Sequence, residues 1–476
     1  VNARQSRPAT HVLALMTGLA LYTATAAAEP FAGQRALLQQ TLEATTAQGQ
    51  PTASALAAAR LGAGEPEVQL LGHVAHGGAP LGSDARFELG SVTKALTGSL
   101  LAQLAAQGLV GLDDPVGRWV PELAGTPAAA LTLRSLATHR SGLPRVPVSA
   151  RFLWSVLREP GDPYMNYGEA DMLAWLRDWQ AQPQTAFAYS NLGFALLGLA
   201  LERAAAQPLA RLMDEQILRP AGAAGATLEA AGAASQIQGY DDKGRPTPPW
   251  TIGAFAGAGA LRANTVQMLA LLDAAHQRRT PFDVGAEKEQ ARRQPSGGVG
   301  LGWLRTERHG DRIVWHNGGT GGFRSFVGYS EVSGRAVLLM ANGQVNLDNL
   351  GMHLINPAFE PTPGAAPGPY WPASWAAGLL ALATLGSMAW RAWRPKGRFE
   401  QILGLGLAAA MLALAWRLAP ATGGATVAVL AALALLAAGA ALWRGRQQAV
   451  WPARRRTVVL KLLTAAVSGL VVAWLW

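Results

Sequence analysis

Phe87-Glu88-Leu89-Gly90-Ser91-Val92-Thr93-Lys94 joins two kinds of local structure. Phe87-Glu88-Leu89 has the composition of a short extended piece. From Ser91 onward Leu, Ala and Gln recur in a helical pattern, and Gly108 stands where a cap just past the last turn belongs. A hydroxyl therefore sits at the head of a helix, where free backbone N–H groups favour developing negative charge. Ser91 and Lys94 are three residues apart, so on a helix they share a face. A Ser hydroxyl is a weak nucleophile until a base takes its proton. Lys94 can be that base if burial or a nearby cation keeps it partly neutral. Alone, the same spacing also describes a capping serine beside a surface lysine.

Two later motifs supply what such a pair lacks. Tyr189-Ser190-Asn191 precedes an apolar helix. Its phenol can relay a proton and its amide can bind a substrate carbonyl. A plain helix entrance capped by Ser190 or Asn191 is the alternative. His316-Asn317-Gly318-Gly319 follows the β-rich run Ile313-Val314-Trp315. Glycine at a strand lets a substrate approach the backbone, and the Gly319 N–H can pair with that of Ser91 as an oxyanion hole. A structural histidine followed by a glycine hairpin is the alternative. His73 and His76 lie on an expected strand and its turn without a carboxylate partner, so no metal site is expected there. No serine sits in a G-x-S-x-G elbow, which argues against an α/β-hydrolase.

The surrounding pattern places these motifs in a fold. An early strand is expected over 68–74 and a mainly helical middle over about 132–276, with helices at 171–179 and 193–206. Four β-rich runs follow at 299–306, 311–316, 322–330 and 334–341, separated by tight turns, which is an antiparallel meander. The expected class is α/β of the α+β kind. An antiparallel sheet is flanked by helices, carries an all-helical subdomain, and is followed by a C-terminal transmembrane helical region.

With Phe87-Glu88-Leu89-Gly90, Thr138-His139-Arg140-Ser141-Gly142-Leu143-Pro144 and Tyr189-Ser190-Asn191-Leu192-Gly193 in one order, the chain resembles the serine β-lactamase and penicillin-binding protein superfamily, in its class C β-lactamase and DD-peptidase-like branch. The resemblance covers roughly 53–342. It implies Ser91 as the acylated nucleophile, Lys94 and Tyr189 as the proton-handling pair and Asn191 as a substrate contact; the oxyanion hole is expected from Ser91 and Gly319, and further substrate contacts from His316, Asn317 and Gly318. No metal and no cofactor is expected. The third motif of that family is usually Lys-Thr-Gly. Here His316 stands in the place of the lysine that helps to seat a substrate carboxylate, and an imidazole is mostly uncharged above its ordinary pKa. That departure weakens the case for a dedicated β-lactamase.

Composition adds a second expectation. The 476 residues are 50% hydrophobic and 15% charged, with a net charge of +10 and no cysteine. A disulfide framework and cysteine-ligated metals are excluded. Eleven of the 40 Lys and Arg, but one of the 30 acids, lie beyond residue 370, so the first 370 residues carry 29 of each. The excess sits between apolar stretches and reads as a topology signal rather than a nucleic-acid surface. Expected domains are a signal peptide over 1–28, a hydrolase domain over 29–359, a Pro-rich linker over 360–370 and a membrane domain over 371–476. The last holds spans near 371–390, 401–419, 426–443 and 457–476. Basic loops at 391–398 and 444–456 place those loops in the cytoplasm, so the hydrolase domain lies on the periplasmic side of a bacterial inner membrane.

The resulting expectation is a membrane-anchored serine acyl hydrolase. Its partners are a small peptide, β-lactam or ester and the lipid bilayer, with D-amino-acid peptides foremost. A prodrug-activating peptidase or esterase of the same fold is the first alternative. A non-turnover β-lactam sensor or peptidoglycan-binding receptor is another, and a transporter-like assembly whose outer domain only binds is the third.

Overall fold

A computed structural model describes residues 32–44, 51–62, 65–159, 161–181, 187–230, 237–277, 291–294 and 297–361. The strands are β1 (Ala55–Leu61), β2 (Glu67–Gly72), β3 (Phe87–Glu88), β4 (Gly239–Tyr240), β5 (Pro246–Thr247), β6 (Arg262–Ala263), β7 (Ala291–Gln294), β8 (Gly297–Val299), β9 (Leu304–Arg308), β10 (Asp311–Gly319), β11 (Arg324–Ser330) and β12 (Ala336–Ala341). The α-helices are α1 (Ala32–Leu42), α2 (Val92–Ala106), α3 (Leu133–Ala137), α4 (Ala150–Arg158), α5 (Glu169–Asp178), α6 (Asn191–Ala205), α7 (Leu209–Met213), α8 (Ala256–Gly259), α9 (Thr265–His276) and α10 (Asp348–Ile355).

Eight strands form one antiparallel sheet in the order β2-β1-β12-β11-β10-β9-β8-β7. β1 is the element the sequence hides. Its Ala-rich run has helix-forming composition, yet it pairs with both β2 and β12 and is buried almost throughout. Its side chains alternate between two cores, as a strand requires. Ala57 and Ala59 join Val314, Val327, Leu338 and Met340 on one face, together with α2, α6 and α9. Leu56 and Ala58 join Ile313, Phe326 and Leu339 on the other, covered by Leu38 and Leu42 of α1 and by Leu350 and Leu354 of α10.

The expected meander is present, with two differences. The 299–306 run is broken between β8 and β9, where Gly302 takes a φ of +79° and its N–H donates to Ala137 O at 3.0 Å. The 311–316 run continues to Gly319, so the glycines of the third motif are strand and not turn. The turn follows them, closed by Thr320 N–H donating to Phe323 O at 3.0 Å.

α2 is buried from Val92 to Ala102, the pattern of a helix in the middle of a domain. Full burial of a leucine stabilises by about 1.5–3 kcal/mol, so packing of Leu96, Leu100, Leu101 and Leu104 fixes α2 more firmly than its intrinsic propensity. Close approach also matters: a Cβ on Gly98 would strike Leu301 O, and one on Gly302 would strike Lys94 O. The helical insertion is bracketed by a small clasp in which β3 pairs with β6, Phe87 opposite Ala263 and Glu88 opposite Arg262.

The chain divides into two units. Among the described residues, 51–52 and 240–245 belong to the second and the others to the first. Within the second, Arg245 Nη2 pairs with Asp241 Oδ2 at 2.7 Å across a turn. The expected signal peptide, most of the linker and the four apolar spans lie outside the described residues. Among the described residues, no helix is long and apolar enough to cross a membrane.

Candidate active site

Ser91 occupies the N-cap of α2, with φ −66° and ψ −8°. Its backbone N–H has no acceptor among the described residues. Lys94 is one turn on and fully buried. Its Nζ lies 3.0 Å from Ser91 Oγ and donates to Ala258 O at 2.7 Å. Burial holds the Lys94 ammonium well below the usual lysine range, and the positive charge of Arg145 adds to the effect. α8 is pinned to α2 by a second bond, from Thr97 Oγ1 to Gly257 O at 2.8 Å, and Leu261 N–H donates to Thr93 Oγ1 at 3.0 Å. The carbonyl that orients Lys94 is therefore itself held in place.

The strand end reaches the same point. A Cβ built on Gly90 would lie 2.7 Å from Gly319 N and 2.8 Å from Gly319 O. One on Gly318 would strike Leu89 O, to which Ser325 Oγ donates at 2.8 Å. Only glycine at these positions lets the backbone of β10 lie against the residues preceding Ser91.

Tyr189 stands among the cations and rings of the site. Its ring centroid is 4.9 Å from Lys94 Nζ, 5.2 Å from Arg145 Cζ, 4.4 Å from the His139 ring and 6.4 Å from the His316 ring. Two loops are stapled beneath it. Ser190 N–H donates to His139 Nδ1 at 3.0 Å, Ser190 Oγ donates to Pro144 O at 2.7 Å, and Asn191 N–H donates to Arg145 O at 3.0 Å. His139 holds a left-handed φ of +57° to make this contact. Ser190 also caps α6, accepting from Gly193 N–H at 2.8 Å. The structural reading of Ser190 as a cap and the placing of Tyr189 at the site are both present in the same turn.

Asn191 Nδ2 donates to the Tyr164 hydroxyl at 2.9 Å, while its Oδ1 is buried without a partner among the described residues. Burial pushes the Tyr164 phenol up from its ordinary value. His316 is fully buried, with Nδ1 2.6 Å from Asn317 O. The Asn317 side chain is not brought to Ser91. It points to the opposite face of the sheet, as alternation from His316 demands, and donates to Asp348 Oδ2 at 2.6 Å. Ser91, Lys94, Tyr189, His316, Gly318 and Gly319 thus converge, Asn191 joins them through the α6 start, and Asn317 contributes backbone alone. Among the described residues, no group of three or more His, Asp or Glu side chains is arranged to hold a metal. The backbone N–H of His73 donates to Ser54 O at 2.6 Å.

Sequence reasoning missed four contributors. Tyr164 carried no signal. Arg145 stands one residue beyond the quoted 138–144 stretch. Asp162 is fully buried and accepts from Thr251 N–H and Oγ1 at 2.6 and 2.7 Å, tying the 161–164 loop to 250–252. Glu88, read only as part of a strand, accepts from Trp250 N–H at 2.7 Å and pairs with Arg262 at 3.3 Å, both side chains buried.

The beta-lactamase family model matches residues 35–356. The chain is similar to the D-alanyl-D-alanine-carboxypeptidase/endopeptidase AmpH of Escherichia coli K12, 37% identical over 147 residues, which cover 29% of this chain and 36% of that protein. It is similar to the esterase EstB of Burkholderia gladioli, 33% identical over 163 residues, 30% of this chain and 39% of that one. The matched stretches thus span little more than a third of those curated relatives. Among solved structures, the class C beta lactamase from Rhodobacter sphaeroides superposes with a TM-score of 0.55 at 20% identity, over 66% of this chain and 93% of that one. The D-alanine carboxypeptidase AmpC from Burkholderia cenocepacia gives 0.54 at 21%, with the same two coverages. These likenesses show the β-lactamase-like fold. As the family model takes in about two-thirds of the sequence, including every motif of the site, the chain belongs to the beta-lactamase family.

Proposed function

We propose that this chain is a serine acyl hydrolase that forms and hydrolyses an acyl-enzyme on Ser91. The observation that carries the reading is Lys94 Nζ, fully buried and 3.0 Å from Ser91 Oγ. A buried amine pushed toward its neutral form is a base at the one hydroxyl that heads α2.

In the first half-reaction Ser91 Oγ bonds to the substrate carbonyl carbon as its proton passes to Lys94 Nζ. The oxyanion accepts hydrogen bonds from the N–H groups of Ser91 and Gly319. The bond to the leaving nitrogen or oxygen breaks as Tyr189 delivers a proton to it, and Lys94 reprotonates Tyr189. In the second half-reaction water attacks the acyl carbon, gives its proton to the same pair, and Ser91 Oγ leaves with a proton restored. Asn191 holds the acyl part, while His316 and the Gly318 backbone border the leaving group.

The substrates are D-amino-acid peptides, β-lactams or esters. AmpH is named for carboxypeptidase and endopeptidase activity and EstB as an esterase, and both names describe acyl transfer to water. His316 in the place of the usual lysine favours the peptidase and esterase readings over a dedicated β-lactamase. The proposal extends to placement. The apolar spans of 371–476, with basic clusters at 391–398 and 444–456, anchor the domain on the periplasmic side of the inner membrane.

Intact-mass analysis of the full chain with a panel of β-lactams, esters and D-Ala peptides tests the reading. A transient acyl adduct with product release supports a hydrolase. Adducts that form and never decay on any member would make the protein a sensor, and the absence of every adduct would refute the proposal.

A further inference from the structure

Position 316 holds no lysine, and the guanidinium of Arg324 lies against Gly319 on the β10 side; a further cation faces the site from the helical side. Arg145 is exposed, and its guanidinium carbon lies 5.2 Å from the Tyr189 ring centroid. It forms no ion pair among the described residues. Its backbone carbonyl accepts from the N–H groups of Asn191 and Leu192 at 3.0 and 3.2 Å, so the residue is fixed to the start of α6 rather than carried on a free loop. Its charge also reaches Lys94 and the Tyr164 phenol.

A second observation points to a ligand at the same place. Asn191 is only 9% exposed, its Nδ2 is committed to Tyr164, and its Oδ1 has no partner among the described residues. A buried acceptor left without a donor is costly unless a ligand supplies one. The donor that fits is an amide N–H on the acyl part of the substrate, as an acylated amino acid provides.

We propose that Arg145 is a specificity-determining residue that binds a carboxylate on the acyl half of a peptide-like substrate, next to the amide N–H received by Asn191 Oδ1. The proposal rests on the acyl-enzyme reading above and adds the substrate class. This selectivity for an anion sits on the helical side of the site, in the half retained on Ser91. A guanidinium recognises a carboxylate through two parallel N–H donors, which an ammonium does not reproduce.

Three thioesters test this on the full chain: glutarylglycine and pentanoylglycine with a neutral thiol, and pentanoylglycine with mercaptoacetate as the leaving thiol. The readout is the ratio of acylation rates, followed by intact mass. A charge-assisted contact corresponds to a preference of about tenfold to a hundredfold for the glutaryl over the pentanoyl donor. Arg145→Gln brings that ratio close to one, and Arg145→Lys restores part of it. Taking the ratio removes the general slowing expected when the charge beside Lys94 is lost. A ratio unchanged in Arg145→Gln would overturn the proposal, as would a wild-type ratio near one or an Arg145 dependence that follows the mercaptoacetate carboxylate. Fluorophosphonate labelling of Ser91 separates the two claims. Labelled wild-type protein with no glutaryl preference overturns only the role of Arg145, whereas absence of both label and thioester adduct overturns the acyl-enzyme reading with it.

Discussion

Replacing Gly90 by alanine tests the contact on which the site depends. Gly90 has a φ of +49°, and its added Cβ would lie 2.7 Å from Gly319 N. Ordinary van der Waals contact begins at 3.4 Å, so β10 must retreat from the head of α2 by 0.7 Å to admit the methyl group. Gly108 supplies the control. It has a φ of +73°, stands past the end of the same helix, and has nothing within 4 Å of the point that a Cβ would occupy. A left-handed conformation costs a residue with a Cβ about 1–2 kcal/mol, and both variants carry that cost. Only Gly90→Ala also moves Gly319 away from Ser91. A misplacement near 1 Å lowers a positioned reaction by about a hundredfold, so fluorophosphonate labelling of Gly90→Ala should slow by about tenfold to a hundredfold. Gly108→Ala should label within about twofold of wild type, because its strain is confined to the helix end. Stopped-time labelling with thermal unfolding of each variant gives both quantities. Equal labelling rates in the two variants would refute the argument that β10 and α2 are held at contact distance by the absence of a side chain.

Two further outcomes follow from the buried charges. Lys94→Met should end labelling, and wild-type labelling should fall as pH drops below the lowered pKa of Lys94, because the base is then protonated. Between that lowered value and the ordinary lysine value the unfolded chain binds more protons than the folded one. Stability there rises with pH, by up to about 1.4 kcal/mol per pH unit for one proton. Denaturant unfolding at a series of pH values should show this slope in wild type and its reduction in Lys94→Met; identical slopes would mean that Lys94 is not the buried titrating group. Glu88→Gln leaves the Arg262 guanidinium buried without its counter-charge and should destabilise the domain by about 3–5 kcal/mol, with partial recovery when Arg262→Met is added. A loss below about 1 kcal/mol would show that the pair is solvated.

Residues with special chemistry were legible in the sequence because few arrangements use them. Ser91 and Lys94 declared a shared helix face, Gly108 declared the helix end at a φ of +73°, and the late β-rich runs declared a meander. What was hidden was set by packing between distant segments. β1 is mostly alanine and reads as helix; only its place between β2 and β12 makes it a strand. The glycines after His316 read equally as a turn, and their strand identity comes from pairing with 324–327 of β11. Asn317 was grouped with the site by adjacency, but a strand turns successive side chains to opposite faces. His139, Tyr164 and Arg145 gather around Tyr189 and Asn191 from 25 or more residues away, and no local pattern announces such a gathering. Glu88 looked like one residue of a short strand because its partner, Arg262, lies 174 residues on.

Peptide mapping of the full chain after reaction with a fluorescent penicillin or a fluorophosphonate locates the acylated residue. A single labelled peptide carrying Ser91 is expected, with no labelling of Ser91→Ala and the thermal unfolding of that variant unchanged. Label of undiminished rate on Ser91→Ala, or on a different serine of the wild type, would contradict it.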